Sequence, residues 1–264
     1  MTTIPIAPDG RWDGDVTSRP LPDAQDELEA MDPAMRRAVA TVWWGQCATE
    51  LRVAQSFAVV HESLVALCAE ASLIALAERA VDDEHRHGAL CLEVARRYDA
   101  SFTSAPPSLP RQQPVHALAK SEDERRALYV LGQCALNETF ASAYLSIAHH
   151  DATCSLARAG LNELLRDEID HSRLGWAYVS TLSPTLRARM SDWLLPLTIQ
   201  NLREWQSSAA SHEGAITAHG VPSAEGVREA LADVVRGVIL PGFATNGLDV
   251  RALERWVRAG MPVS

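Results

Sequence analysis

Long apolar runs are missing from this chain. No segment reaches the roughly 20 consecutive apolar residues that a membrane-spanning helix needs. The first ten residues carry neither the basic cluster nor the apolar stretch of an export signal, so none is expected. Basic residues are in deficit as well. Lys and Arg number 24 against 34 Asp and Glu, for a net charge of −10 and a pI near 5.4. A general nucleic-acid binder needs a basic patch to neutralise phosphates, and an anionic membrane repels such a chain, so neither nucleic acid nor membrane is expected as a partner. No Cys-x-x-Cys pair occurs among Cys47, Cys68, Cys91, Cys134 and Cys154. An odd count without paired spacing disfavours a disulfide framework, a zinc ribbon and a rubredoxin-type iron site, and points to a reduced, cytoplasmic protein. No segment alternates apolar and polar residues with period two, so strands are not expected.

What is present is helical, and the expected fold class is all-α. The 264 residues suffice for one large domain or two small ones. Residues 1–31 hold four prolines and several Asp, and are expected to form an irregular arm. A helix-rich block then begins at Asp32 and, after Pro33, reaches Tyr98 without another proline. A second proline-free block runs from Glu122 to about Leu182. Each is long enough for two antiparallel helices. Pro106, Pro107, Pro110 and Pro114 mark residues 100–121 as a long connection between the blocks. Residues 183–264 are expected to add shorter helices over 185–207, 223–238 and 248–259.

The two blocks share the string Asp-Glu-x-x-His, first at Asp83-Glu84-His85-Arg86-His87 and again 84 residues later at Asp167-Glu168-Ile169-Asp170-His171. Steps of three and four trace an apolar seam along each expected helix. Each seam is interrupted at its middle by a carboxylate: Glu50, Glu84, Glu138 and Glu168. On the second and fourth helices His87 and His171 follow three residues later, on the same face. The heights agree. Glu50 and Glu84 are equidistant from residue 67, near an expected turn at Cys68–Ser72, and Glu138 and Glu168 from residue 153, inside a polar turn. Glu62, the rival on the first helix, would be mirrored by Ser72, far from the Glu84 level.

A single Glu-x-x-His on an acidic helix ordinarily faces solvent. Four ionised carboxylates at one level of a core are costly unless paired. Two divalent cations would balance them. Small residues beside the ligands, Ala54, Ala141 and Gly175, suggest a substrate cavity or, alternatively, close helix packing. Cys47, Cys91 and Cys134 fall one turn from proposed ligands and read as small buried hydrophobes.

One Glu from each of two helices and Glu-x-x-His from each of two others resembles the ferritin-like di-iron carboxylate superfamily, over roughly residues 35–182. The resemblance implies a four-helix bundle with a long crossover between its second and third helices and additional C-terminal helices. It implies Glu50, Glu84, His87, Glu138, Glu168 and His171 as ligands of two iron ions, with manganese an alternative at one or both positions. Glu84 and Glu168 would be the bridging pair. Asp83 would orient His171, Asp167 would orient His87, and Arg86 would join that network. The implied activity is O2-dependent oxidation of a small organic substrate, by hydroxylation, N-oxygenation, desaturation or a similar reaction. No flavin, nicotinamide or iron–sulfur motif is present, so electrons would come from a ferredoxin or reductase. A homodimer is compatible with the C-terminal extension. A ferroxidase or peroxide-handling protein, or a helical scaffold without catalysis, are the alternatives.

Overall fold

The computed structural model describes residues 16–107, 116, 119–209 and 216–262. The first half of the expected arm and most of the proline-rich middle of the crossover lie outside these residues. The described chain is all-helical, with no strand among the described residues and no helix long and apolar enough to cross a membrane.

The order begins with a short α1 (Gln25–Glu29), so the expected irregular arm contains a helical turn, held by the burial of Leu28. The long α2 (Pro33–Ala66) starts where sequence rules place it: Asp32 accepts hydrogen bonds from the N–H groups of Ala34 and Met35, and Pro33 occupies the first turn. The chain reverses over residues 67–70, with Cys68 in a left-handed conformation (φ 50°), and continues as α3 (Ala71–Tyr98). The crossover leads to α4 (Glu122–Val130), capped by Ser121. A π-helical stretch, Leu131–Asn137, joins α4 to α5 (Glu138–Asp151) without a break. A turn at residues 152–154 leads to α6 (Ser155–Thr181). In that turn the N–H groups of Thr153 and Cys154 both donate to the Ala218 carbonyl.

The C-terminal elements differ from expectation in their bounds. The single helix expected over 185–207 is two, α7 (Pro184–Ser191) and α8 (Leu194–Ala209), because the chain breaks just ahead of Pro196. A short 3-10 turn, Thr217–His219, precedes α9 (Ala224–Val234). Helix continues beyond the expected end at 238, through a second π stretch (Val235–Ile239) into α10 (Leu240–Thr245). Pro241 is therefore inside a helical run; the altered register just before it accommodates the missing N–H. The last helix, α11, covers Arg251–Arg258.

The core comes in two apolar clusters, and their membership gives the topology. One cluster holds Phe57, Ala80, Leu131, Phe140 and Leu174; the other holds Trp43, Leu90, Leu145 and Leu164. Along α2 the chain passes from the second cluster to the first, and α3 runs back, so the two are antiparallel. The α4–π–α5 run goes the same way as α3, and α6 opposes it. The crossover must therefore travel the length of the helices, as a connection of about 22 residues can. α2 packs on α3 and α4, and α6 packs on α3, the first π stretch and α5, closing a ring of contacts. Glu50, Glu84, His87, Glu138, Glu168 and His171 lie between the two apolar clusters, in a single polar layer across the middle of the ring.

Candidate metal centre

All six predicted ligand side chains are buried, and the structure brings them together. Two overlapping quartets each gather one ligand atom per residue within 4.8 Å: Glu50, Glu84, His87 and Glu168, and then Glu84, Glu138, Glu168 and His171. Glu84 and Glu168 belong to both. Their geometry shows why. Glu84 places Oε2 3.5 Å from His87 Nδ1 and Oε1 3.0 Å from His171 Nδ1. Glu168 does the same with Oε1 at 3.6 Å and Oε2 at 3.5 Å. Each of these carboxylates thus offers one oxygen to each half of the cluster, while Glu50 and Glu138 each serve one half.

The outer faces of the imidazoles are tied down. His87 Nε2 lies 3.2 Å from Asp167 Oδ2, and His171 Nε2 lies 3.5 Å from Asp83 Oδ2. With Nε2–H donated to an aspartate, the Nδ1 lone pair is left pointing inward. Both Nδ1 atoms, both oxygens of Glu84 and Oε2 of Glu168 are buried with no hydrogen-bond partner. Buried polar atoms without partners are costly. Five such atoms facing one another fit a cation pair with carboxylate and imidazole ligands.

Electrostatics agree. Burial, and then the neighbouring charge of Glu84, push the Glu50 carboxyl well above its ordinary range; burial and Glu168 do the same to Glu138. Glu84 is opposed by burial too, but the two imidazoles outweigh it and hold its pKa below the usual value. Burial works against charging His87, yet Asp167, Glu84 and Glu168 raise it from 6.5 to about 10, and His171 is raised likewise. Without metal the cluster keeps protons that metal binding must displace. We expect ferrous or zinc loading near neutral pH to release about two to four protons per chain, measurable with an indicator dye. The sign for stability follows from His87. Its contribution is complete below pH 6.5 and is lost as pH rises toward about 10. The metal-free protein should therefore melt at lower temperature as pH rises across that window, and bound metal should remove or reverse the trend.

The surrounding groups complete the layer. Arg86 contacts Asp167 through Nη2 and donates through Nη1 to the Val16 carbonyl at 2.9 Å. The equivalent position after Glu168 is Asp170. There the arginine comes from the other helix: Arg79 lies 3.6 Å from Asp83 and 3.4 Å from Asp170. Glu163, also buried, accepts from the N–H and hydroxyl of Ser18 and so fastens the described start of the chain beside Arg86. Replacing Asp167 with asparagine should weaken metal binding about 10- to 100-fold, the usual cost of losing a partner behind a histidine ligand, as read by competition with a chelating dye.

The remaining sequence candidates stay out of the cluster. Glu62 is exposed. His85 uses Nδ1 on the Val81 carbonyl of its own helix, at 2.8 Å. Burial pushes the Cys47 thiol up to about 12 and raises Cys91 and Cys134 as well, so all three stay protonated, as small buried hydrophobes do. Of the three small seam residues, Ala141 lines a cavity, whereas Ala54 is packed in the core and Gly175 lies against the backbone of Cys134 and Ala135.

Three residues at the site were not anticipated. Gln46 donates to Glu50 Oε1 at 2.5 Å, and Gln133 and Asn137 donate to Glu138 Oε1 at 2.5 and 3.2 Å. The i, i+4 spacing of Gln46 and Glu50 was a usable signal. The i, i+5 spacing of Gln133 and Glu138 was not, since on an α-helix those residues diverge by about 140°. The wider π turn brings them to one side. No family model matches this chain, and neither curated proteins nor solved structures give a match.

Proposed function

We propose that this protein is a non-haem di-iron oxygenase or oxidase of the ferritin-like superfamily, with α2, α3, α4–π–α5 and α6 as its four-helix bundle. The observation that carries the reading is the pair of two-sided carboxylates, Glu84 and Glu168, each set between two inward-facing imidazole nitrogens that have no other partner. Glu50 and His87 would complete one iron position, and Glu138 and His171 the other. Bound there, a ferrous pair would supply the electrons and open coordination positions with which O2 is activated to oxidise an organic substrate.

The chain's own residues would do the rest. Asp83 and Asp167 hold the imidazole tautomers, and Gln46, Gln133 and Asn137 hold the outer carboxylates in place. The apolar clusters on both sides of the layer exclude water along the helix axis. A cavity of about 1190 Å³ reaches Glu50, Glu138 and Glu168 from the side, and that access favours an organic substrate over iron storage. Reducing equivalents would arrive from a separate ferredoxin or reductase.

The test is anaerobic ferrous loading followed by desalting and elemental analysis. About two irons per chain are expected, with O2 consumption on exposure to air. Less than about 0.2 metal per chain would remove the di-iron reading and leave a helical scaffold.

A further inference from the structure

The wall of the cavity is unusual in which half of each polar group it presents. Gln46 spends its NH2 on Glu50, Gln133 spends its NH2 on Glu138, and Gln200 spends its NH2 on Glu204 at 3.1 Å. With metal bound, Glu50 and Glu138 would be ionised and, like the Glu204 carboxylate, would only accept, which sets these three amide orientations. The NH2 of Asn201 goes to the Leu197 carbonyl at 2.9 Å, which determines the fourth. In all four, the end left over is the carbonyl. The hydroxyls behave alike. Thr41 and Ser56 donate to carbonyls one turn back on α2, at 2.9 and 3.3 Å, and keep their lone pairs for the cavity; Thr49 donates to the Gly45 carbonyl at 3.5 Å and accepts from Arg52 Nη2 at 3.5 Å. The indole N–H of Trp205 is taken by Asn137 at 3.0 Å. Against this stand the Arg52 guanidinium, which already donates to Thr49, the Tyr129 and Tyr144 hydroxyls and the His116 ring.

We infer that the cavity takes an organic molecule carrying several N–H or O–H donors, an amine or a polyol, and turns away carboxylates and hydrocarbon chains. An anionic substrate would set its lone pairs against those of the wall. A hydrocarbon chain would strip water from the amide carbonyls and give nothing back, and each polar group so stranded is costly. A donor-rich molecule satisfies the wall as water does, and Glu204 at the rim adds attraction for an ammonium group. As a statement about the enzyme's substrate, the inference rests on the di-iron reading.

The test uses four probes on the full chain: spermidine, sorbitol, sebacate and heptane, followed by ligand-observed NMR with and without anaerobic ferrous loading. Spermidine or sorbitol should bind, in preference to sebacate and heptane. The double substitution Q200L/N201L should weaken the donor probes by about tenfold or more, while metal content stays unchanged. Gln200→Glu, which keeps an acceptor at that position, should retain spermidine binding. Tighter binding of sebacate or heptane, no binding of either donor probe up to about 50 mM, or indifference to the double substitution would overturn the inference. Metal content on the same samples separates the two readings. A chain that binds iron but prefers sebacate loses only the substrate class; one that binds donors but no iron loses the di-iron function.

Discussion

Alanine at position 175 should lower the melting temperature of the metal-free protein by roughly 10 °C or more. A Cβ built on Gly175 falls 2.3 Å from the Ala135 nitrogen and the Cys134 carbonyl carbon, and 2.5 Å from the Cys134 oxygen. All three are backbone atoms of the first π stretch, so no side chain can swing aside. Either α6 or the π stretch must move, and overpacking of this kind costs about 3 kcal/mol or more. Gly45 is the internal control. Nothing lies within 4 Å of a Cβ there, so Gly45→Ala should gain about 0.5–1 kcal/mol from helix propensity alone. The Gly175 effect should also reach the site, because the π stretch carries Gln133 and Asn137 and leads directly into Glu138. We expect Gly175→Ala to lose metal from the Glu138 side even under conditions where it remains folded. Thermal melting and metal analysis on both variants check this. A Gly175→Ala protein as stable as Gly45→Ala would show that the two backbones are not in contact.

Gly175 marks the boundary of what the amino-acid sequence made legible. The six side chains of the buried cluster were readable because they break an apolar seam at steps of three and four, and because a charge in a core demands an explanation. The antiparallel pairing was readable from equal distances to a turn. A small residue next to the ligands has two physical meanings, room for a ligand or room for another backbone, and spacing cannot separate them. At Ala141 it means the first, at Gly175 the second. The π stretch was hidden for a related reason. Leu131, Cys134, Glu138 and Ala141 remain on the buried side, so the seam looks undisturbed and only the amide of Gln133 reports the change of register. The contact of Arg79 with Asp170 was hidden because the two lie on different helices, and pairing of that kind depends on how helices are rotated, whereas its i, i+4 pairing with Asp83 on the same helix was a usable signal.

Deleting the shared carboxylates should abolish binding of both metals, whereas deleting an outer ligand should abolish one. Glu84 and Glu168 appear in both quartets; Glu50 and His87 appear only in the first, Glu138 and His171 only in the second. Glu84→Ala or Glu168→Ala removes one oxygen from each position at once. It also leaves the imidazoles facing a cavity where a compensating charge used to be. Metal content should fall from about two per chain to less than about 0.2 in either variant. Glu138→Ala leaves Glu50, Glu84, His87 and Glu168 intact, and should keep about one metal while losing the other. Glu50→Ala should be its mirror image. The Glu138 and Glu50 variants should differ in one respect. Glu138 is held by two amides, Gln133 and Asn137, and Asn137 is in turn fixed by Trp205, while among the described residues Glu50 has one amide, Gln46. The better-held carboxylate presents its oxygen with less loss of side-chain freedom, so the position containing Glu138 should fill first as ferrous ion is titrated in. Glu50→Ala should then retain the tighter of the two sites, and Glu138→Ala the weaker. Equal loss of both metals in all four variants would mean that the cluster binds as a single cooperative unit. Retention of one metal in Glu84→Ala would mean that this carboxylate does not bridge.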